Sequence, residues 1–410
     1  MGWEIGGSME LGITQEILLY GFIIAVMLGA VVNKTNFCTM GAVSDWVNIG
    51  DTGRLRSWIL AMVVALIGVL VLEMMEVFSL DSSRPPYRTT GLAWPRYILG
   101  GLMFGVGMTL ASGCGNKTLV RIGAGNIKSI VVLLIAGVFA YLMTKTDFYG
   151  VMFHSWMNPL TIDLSLYGFS GQDFGSIAAG ITGSENVVQV RTVVGSLIAV
   201  AALVVILKTA GLRDSFDNML GGIAVGVAVL AAWYVTAGPM GQTWQEEVEF
   251  MDEIPLGVGS QSFTFINPMG ELLDYGMNSF NQLFLTFGLV SLIGVIVGSF
   301  IYAISTKNFR IEWFVNFKDF LTHAIGAVLM GIGGVLAMGC TIGQGVTGVS
   351  TLAIGSFMAM ISIIIGCAMT MKIQFYKMVY EEEATFGKAF ITGLVDLKLL
   401  PSSMRKLDAV

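Results

Sequence analysis

The ten residues GVGMTLASGC at positions 105–114 return as GIGGVLAMGC at positions 331–340, matching at six of ten places with one constant offset of 226 residues. Each copy is apolar and glycine-rich, and each ends in Gly-Cys followed by short polar sequence. That sequence is Gly115-Asn116-Lys117-Thr118 after the first copy and Thr341-Ile342-Gly343-Gln344-Gly345 after the second. Each copy therefore reads as a membrane helix that breaks inside the bilayer. A break at that depth frees backbone N–H groups at the start of the next half-helix, and with the positive end of the helix dipole they favour an anion. Glycine in membrane helices also serves close packing, which is an equal account of any single Gly. The matched pair of Gly-Cys endings favours the interrupted helix.

Composition supports membrane residence around these copies. The chain has 410 residues, 55% hydrophobic and 12% charged, with a mean hydropathy of +0.76, whereas soluble domains carry about 25% charged residues. Nine stretches are long and apolar enough to cross the roughly 30 Å of hydrocarbon as helices: residues 17–33, 57–78, 97–113, 127–146, 191–209, 219–237, 281–304, 322–339 and 351–371. The Gly-rich pieces 36–49, 115–124 and 341–350 are too short to cross and read as half-helices or re-entrant segments. The expected fold is an all-α integral membrane protein of about nine transmembrane helices plus such short helices. It forms one polytopic domain, with repeat halves at about 15–150 and 215–372 and a tail at 373–410. The opening MGWEIGGSMELGITQ has no Lys or Arg and so lacks the basic start of a secretory signal peptide.

Basic residues mark cytoplasmic loops. The stretches 147–190 and 238–280 contain no Lys or Arg, and the second carries Glu246, Glu247, Glu249, Asp252 and Glu253, so both are expected outside. Arg54, Arg56, Arg121, Lys128, Lys208, Arg213, Lys307, Arg310 and Lys318 lie in the complementary loops. Alternation then places the N-terminus outside and the basic C-terminal tail in the cytoplasm, in the inner (plasma) membrane, and it inverts the two repeat copies relative to each other. One loop dissents, because residues 79–96 put Arg84, Arg88 and Arg96 on the outer side.

The four cysteines contain no CxxC pair and no Cys/His cluster, so neither a disulfide framework nor a metal site is read, and no cofactor is called for. No basic tract points to nucleic acid, no GxxxxGK[ST] loop to a nucleotide, and His154 and His323 form no catalytic constellation, so an enzyme is not expected. Glu73 and Glu76, at the end of the second span, fit an interfacial position better than a proton relay.

The segments NFCTMGAVSDW (36–46), LASGCG (110–115), LAMGCTIGQG (336–345) and GSFIYAISTKNFRIEWF (298–314) together resemble the YeeE/YedE family of membrane proteins, in the same order and over about residues 15–375. That family includes thiosulfate uptake permeases, in which three cysteines line the path and pass the anion between thiols by hydrogen bonding. The resemblance implies that Cys38, Cys114 and Cys340 do so here. The chemistry is consistent, since a thiol with an ordinary pKa near 8.5 is neutral at pH 7 and a neutral weak donor holds a dianion without trapping it. Cys367, in ISIIIGCAMT, reads as a packing residue. Asn116, Thr341, Gln344 and Thr347 fit both path-lining contacts and links between helices. Lys117 and Arg121 fit both attraction of an anion and a helix end at the interface. The family pattern Gly-Cys-x-x-Gly is absent from the first copy, which reads Gly113-Cys114-Gly115-Asn116-Lys117.

The expected function is uptake of thiosulfate or a related sulfur anion. The alternatives are a selenium species, sulfide or a soft metal on the same fold, or covalent sulfur exchange through a reactive cysteine, for which Cys114 near Lys117 is the sequence hint. The resemblance further implies a small cytoplasmic sulfur-carrier protein as a partner, for which the tail fits both a docking segment and an ordinary cytoplasmic tail, the second slightly better.

Overall fold

The computed structural model describes residues 12–208, 210–213, 215–251 and 253–408. Residues 1–11 of the opening stretch and Asp252 of the acidic loop lie outside the described residues. Among the described residues nine helices are long and apolar enough to cross a membrane, one for each expected span. Between and beside them lie the short ones. In chain order the helices used below are α1 Ile13–Thr35, α2 Thr39–Ile49, α3 Gly53–Met74, α4 Trp94–Leu110, α5 Gly115–Gly123 and α6 Ile127–Lys145. They continue with α7 Phe174–Thr182, α8 Val187–Leu207, α9 Phe216–Ala237, α10 Pro239–Val248 and α11 Ile266–Met277. The last are α12 Phe287–Ser305, α13 Phe317–Leu336, a π-helical segment Gly343–Gly348, α14 Ile354–Tyr380 and α15 Phe386–Asp396.

Two readings need correction. The stretch 238–280, taken as one long loop, contains α10 and α11, and α11 packs beside α6. The last span does not end at 371: α14 runs on to Tyr380, and Lys372, just past the expected end, pairs with Asp396 of α15 at 3.4 Å.

Helix contacts come in matched sets. α1 packs on α12 as α9 packs on α3, and α4 packs on α14 as α13 packs on α6. α11 lies on α6 as α2 lies on α14, and α5 lies on α12 as the π-helical segment lies on α3. α1 meets α9 and α4 meets α13 at the centre. α7 and α8 stand outside these sets, with α8 seated on α3.

The central α4–α13 crossing depends on bare backbone. A Cβ at Gly107 would lie 2.6 Å from the Gly326 carbonyl oxygen, and one at Gly333 would lie 2.7 Å from the Gly100 carbonyl oxygen. Under the 226-residue offset Gly107 corresponds to Gly333 and Gly100 to Gly326, so these two contacts are one contact seen twice. Because the obstacles are backbone atoms, a side chain cannot be accommodated by a rotamer change. Gly107→Val and Gly333→Val are each expected to cost at least about 1–3 kcal/mol through overpacking, by similar amounts, read as matched drops in melting temperature in detergent.

The loops collect on two faces. On the first, loop 79–93 touches the others: the Arg84 N–H donates to the Ser260 carbonyl at 2.7 Å and the Leu164 N–H to the Thr90 carbonyl at 3.0 Å. On the second, the Arg310 N–H donates to the Ala124 carbonyl at 3.0 Å, and Lys128 pairs with Asp319 at 2.8 Å.

Candidate functional site

Each of the three cysteines named by motif follows the same backbone event. Asn36, Ser112 and Met338 adopt left-handed φ values of 52°, 59° and 58°, each two residues before its cysteine. In the two repeat copies the helix ends in the same six-residue closure, with the Gly113 N–H on the Met108 carbonyl at 2.9 Å and the Gly339 N–H on the Gly334 carbonyl at 2.8 Å. The cysteine then starts the next helix. The carbonyls of Cys38, Cys114 and Cys340 accept the N–H of Ala42, Thr118 and Gln344 at 2.9, 2.9 and 2.8 Å. In addition, the Gly41 and Gly343 N–H groups each donate to the sulfur of Cys38 and Cys340 at 3.5 Å. All three cysteines thus sit at helix N-termini, where unpaired N–H groups and the dipole favour negative charge.

The three are buried and close together. The thiols of Cys38 and Cys114 are neighbours, Thr341 lies beside Cys114, and Thr264 lies beside Cys340. Cys367 is separate, accepting a hydrogen bond from Thr109 at 3.2 Å inside the α4–α14 contact.

Several polar atoms around the cysteines are buried without a hydrogen-bond partner: Thr39 Oγ1, Asn116 Oδ1, Thr264 Oγ1, Thr341 Oγ1 and Gln344 Oε1. Buried polar groups in folded proteins are nearly always paired, and exceptions call for a reason. Five such atoms gather around the helix starts of the three cysteines. Thr347 is not among them, since its hydroxyl donates to the Phe263 carbonyl at 2.8 Å. The two cations with open readings are both tied to the turns. Lys117 donates to Asn36 Oδ1 at 2.7 Å, and Arg121 donates to the Ser112 carbonyl at 2.6 Å.

Two cavities approach this cluster. One of about 420 Å³ is lined from the first face by Arg84, Arg96, Gln261 and Glu271, and reaches Thr264 and Met338. The other, about 320 Å³, is lined by Met40, Ser44, Gln374 and Met378, and reaches Ser112. Met338 and Ser112 are equivalent turn residues in the two copies, so the cavities arrive at corresponding points of the repeat.

The dissenting loop is resolved by the same geometry. Arg84 and Arg96 face the first cavity, with the Arg96 guanidinium 5.0 Å from the Tyr149 ring centre. Arg88 instead is buried against Glu73, at 2.9 Å, and Asp81, at 3.1 Å. Glu73 is therefore a buried, paired carboxylate rather than a free relay group. Sequence reasoning missed Thr39, Thr264, Arg84 and Arg96 as site residues; an arginine pair on the wrong side of the charge rule was the one available signal.

A family model described as sulphur transport matches residues 34–369. A thiosulfate transporter TsuA of Spirochaeta thermophila is 25% identical over 354 residues, 84% of this chain and 96% of the relative. The thiosulfate transporter TsuA of Escherichia coli is 24% identical over 370 residues, 86% of this chain and 93% of the relative.

Proposed function

Because the chain belongs to the sulphur transport family, the YeeE/YedE proteins, we propose that it is a permease for uptake of thiosulfate or a related inorganic sulfur anion, relayed past Cys38, Cys114 and Cys340. The observation that carries this reading is the convergence of two cavities on three cysteine-started helices whose surrounding polar atoms are unpaired. Helix N-termini supply partial positive charge without a fixed cation at the narrowest point. Thiols and hydroxyls supply weak neutral donors, so each station holds the anion loosely enough to release it to the next. Asn116, Thr341 and Gln344 are the polar contacts beside the thiols. Lys117 raises the local potential while its ammonium stays bound to Asn36.

The first face is read as the outer one and the second as the cytoplasmic one, an orientation that the distribution of Lys and Arg supports, and the membrane as the plasma membrane. The repeat halves, at about 15–150 and 215–372, are supported by the matched helix contacts and the equivalent turns at Ser112 and Met338. The tail on the cytoplasmic face offers a place for a sulfur-carrier protein to receive the product.

The test is uptake of labelled thiosulfate into proteoliposomes; a wild-type protein that takes up none sinks the substrate assignment. With Arg84 and Arg96 lining the outer cavity, Arg84→Gln/Arg96→Gln is expected to slow uptake about tenfold or more at low ionic strength and much less in 0.5 M inert salt, because steering of a charged ligand is screened. An unchanged salt dependence would remove the arginines from the path. The adjacency of Cys38 and Cys114 favours one second reading, covalent sulfur exchange with one thiol resolving the other. Intact-mass measurement after exposure to thiosulfate separates the two, since relay leaves no adduct.

A further inference from the structure

We infer that Thr264 is the outer station of the path, the second half's counterpart of Cys38, and that its hydroxyl beside the Cys340 thiol sets which end of the anion enters first. The inference rests on the transport reading above. Cys114 and Cys340 are equivalent under the repeat, and each has one side-chain neighbour from the preceding short-helix region: Cys38 just before α2 for the first, Thr264 just before α11 for the second. α2 and α11 are themselves equivalent in their packing on α14 and α6. The path is therefore symmetric in position and asymmetric in chemistry, with two thiols toward the cytoplasmic cavity and a thiol with a hydroxyl toward the outer one.

Three observations place Thr264 on the route of a ligand. It lines the outer cavity together with Arg84 and Arg96. Its Oγ1 is buried and has no hydrogen-bond partner. It also covers the start of the π-helical segment, since a Cβ at Gly343 would lie 2.6 Å from Thr264 Oγ1 and 2.9 Å from its Cβ. An anion leaving the cavity for Cys340 and the N–H groups after it must pass this hydroxyl.

A hydroxyl is a stronger and harder donor than a thiol, so the pair presents unlike groups to an anion with unlike ends. The oxyanion oxygens of thiosulfate go to Thr264 and its terminal sulfur to Cys340. Sulfate, with oxygens only, satisfies the hydroxyl but offers the thiol no soft partner.

The test is uptake by Thr264→Val, Thr264→Ser and Thr264→Cys in proteoliposomes, each as monodisperse protein, with sulfate as competitor. Thr264→Val is expected to lose about tenfold or more, the usual effect of deleting a hydrogen bond to a charged group, and Thr264→Ser to restore uptake. Thr264→Cys is expected to keep thiosulfate uptake and to need several-fold more sulfate for half-inhibition, because two thiols then stand side by side at this station. A purely structural role would not move that ratio. Normal uptake by Thr264→Val, or failure of Thr264→Ser to restore it, overturns the inference alone, as does an unshifted sulfate inhibition in Thr264→Cys. Absence of uptake by the wild type overturns the transport reading and this inference with it.

Discussion

Thiosulfate uptake is expected to fall roughly 10- to 100-fold in Cys114→Ala and in Cys340→Ala, the range set by losing one hydrogen bond to a charged group, while Cys367→Ala stays within about twofold of wild type. Alanine removes the donor and leaves the backbone turn intact, because the left-handed residue lies two positions earlier, at Ser112 and Met338. The helix-starting carbonyls of Cys114 and Cys340 are likewise unaffected by the side chain. Lost uptake then reports the thiol itself. Cys367 is a demanding control, since it is as buried as the other two but is satisfied by Thr109 and lies inside a helix contact. Serine tells the rest: Cys340→Ser keeps a donor but a harder one, so it is expected to recover part of the rate and lose selectivity against sulfate. If Cys114→Ala and Cys340→Ala transported at the wild-type rate as folded protein, the relay would be wrong even though the fold and family stand.

The parts of this molecule carried by local sequence were legible, and those made by distant pairing were not. Nine apolar runs gave nine membrane-length helices among the described residues because a span must satisfy its backbone within itself. The copies at 105–114 and 331–340 were legible as helices that break at Gly-Cys, whereas the crossing they form, where the Gly107 and Gly333 positions meet opposing backbone, is seen only in the fold. The shared turn before Cys38 was hidden, since Asn36-Phe37 and Ser112-Gly113 have no side chain in common and only φ unites them. α11 was lost inside a stretch judged by its lack of Lys and Arg, although Ile266, Met269 and Leu273 recur at helical spacing and the first two are buried. Thr264 could not be found at all from sequence. It lies far along the chain from Cys340 and belongs to no motif, and only the fold makes them neighbours. Glu73 likewise read as an interfacial carboxylate and Arg88 as a loop charge when each was taken singly, and only the fold pairs them.

Arg88→Leu is expected to destabilise the protein by about 3–5 kcal/mol, the cost of leaving a buried partner charge uncompensated. The guanidinium, with a side chain 2% exposed, holds Glu73, whose side chain is 3% exposed, and reaches Asp81 at 3.1 Å. Arg191 of α8 closes the cluster, at 3.0 Å from Asp173 and 3.2 Å from Asp81. Two buried carboxylates, Glu73 and Asp173, and the exposed Asp81 thus share two arginines, and removing either arginine leaves a buried carboxylate uncompensated. Burial opposes ionisation of Asp81 and Asp173, yet the Arg191 and Arg88 charges outweigh it and hold both carboxyls below their usual range. A lowered native pKa gives stability that is complete above the unfolded value, near 3.9, and is lost as pH falls through the native one. The cluster is therefore intact at neutral pH and fails only in strong acid. Its reach extends to the path: Arg88 Nε donates to the Thr351 carbonyl at 3.0 Å, and the Phe174 and Ile354 N–H groups bond the Leu352 and Gln172 carbonyls at 3.1 and 3.0 Å. These bonds fix the chain that leaves the π-helical segment after Cys340. Arg88→Lys keeps the charge but not the planar fork that serves Glu73 and Thr351 together, so it is expected to fold and to lose transport more than stability. Glu73→Gln/Arg88→Met, which removes both members of the pair, is expected to cost less than Arg88→Leu alone. Melting curves in detergent at pH 7 decide this: a double variant less stable than Arg88→Leu would show that the pair contributes net stability beyond mutual neutralisation.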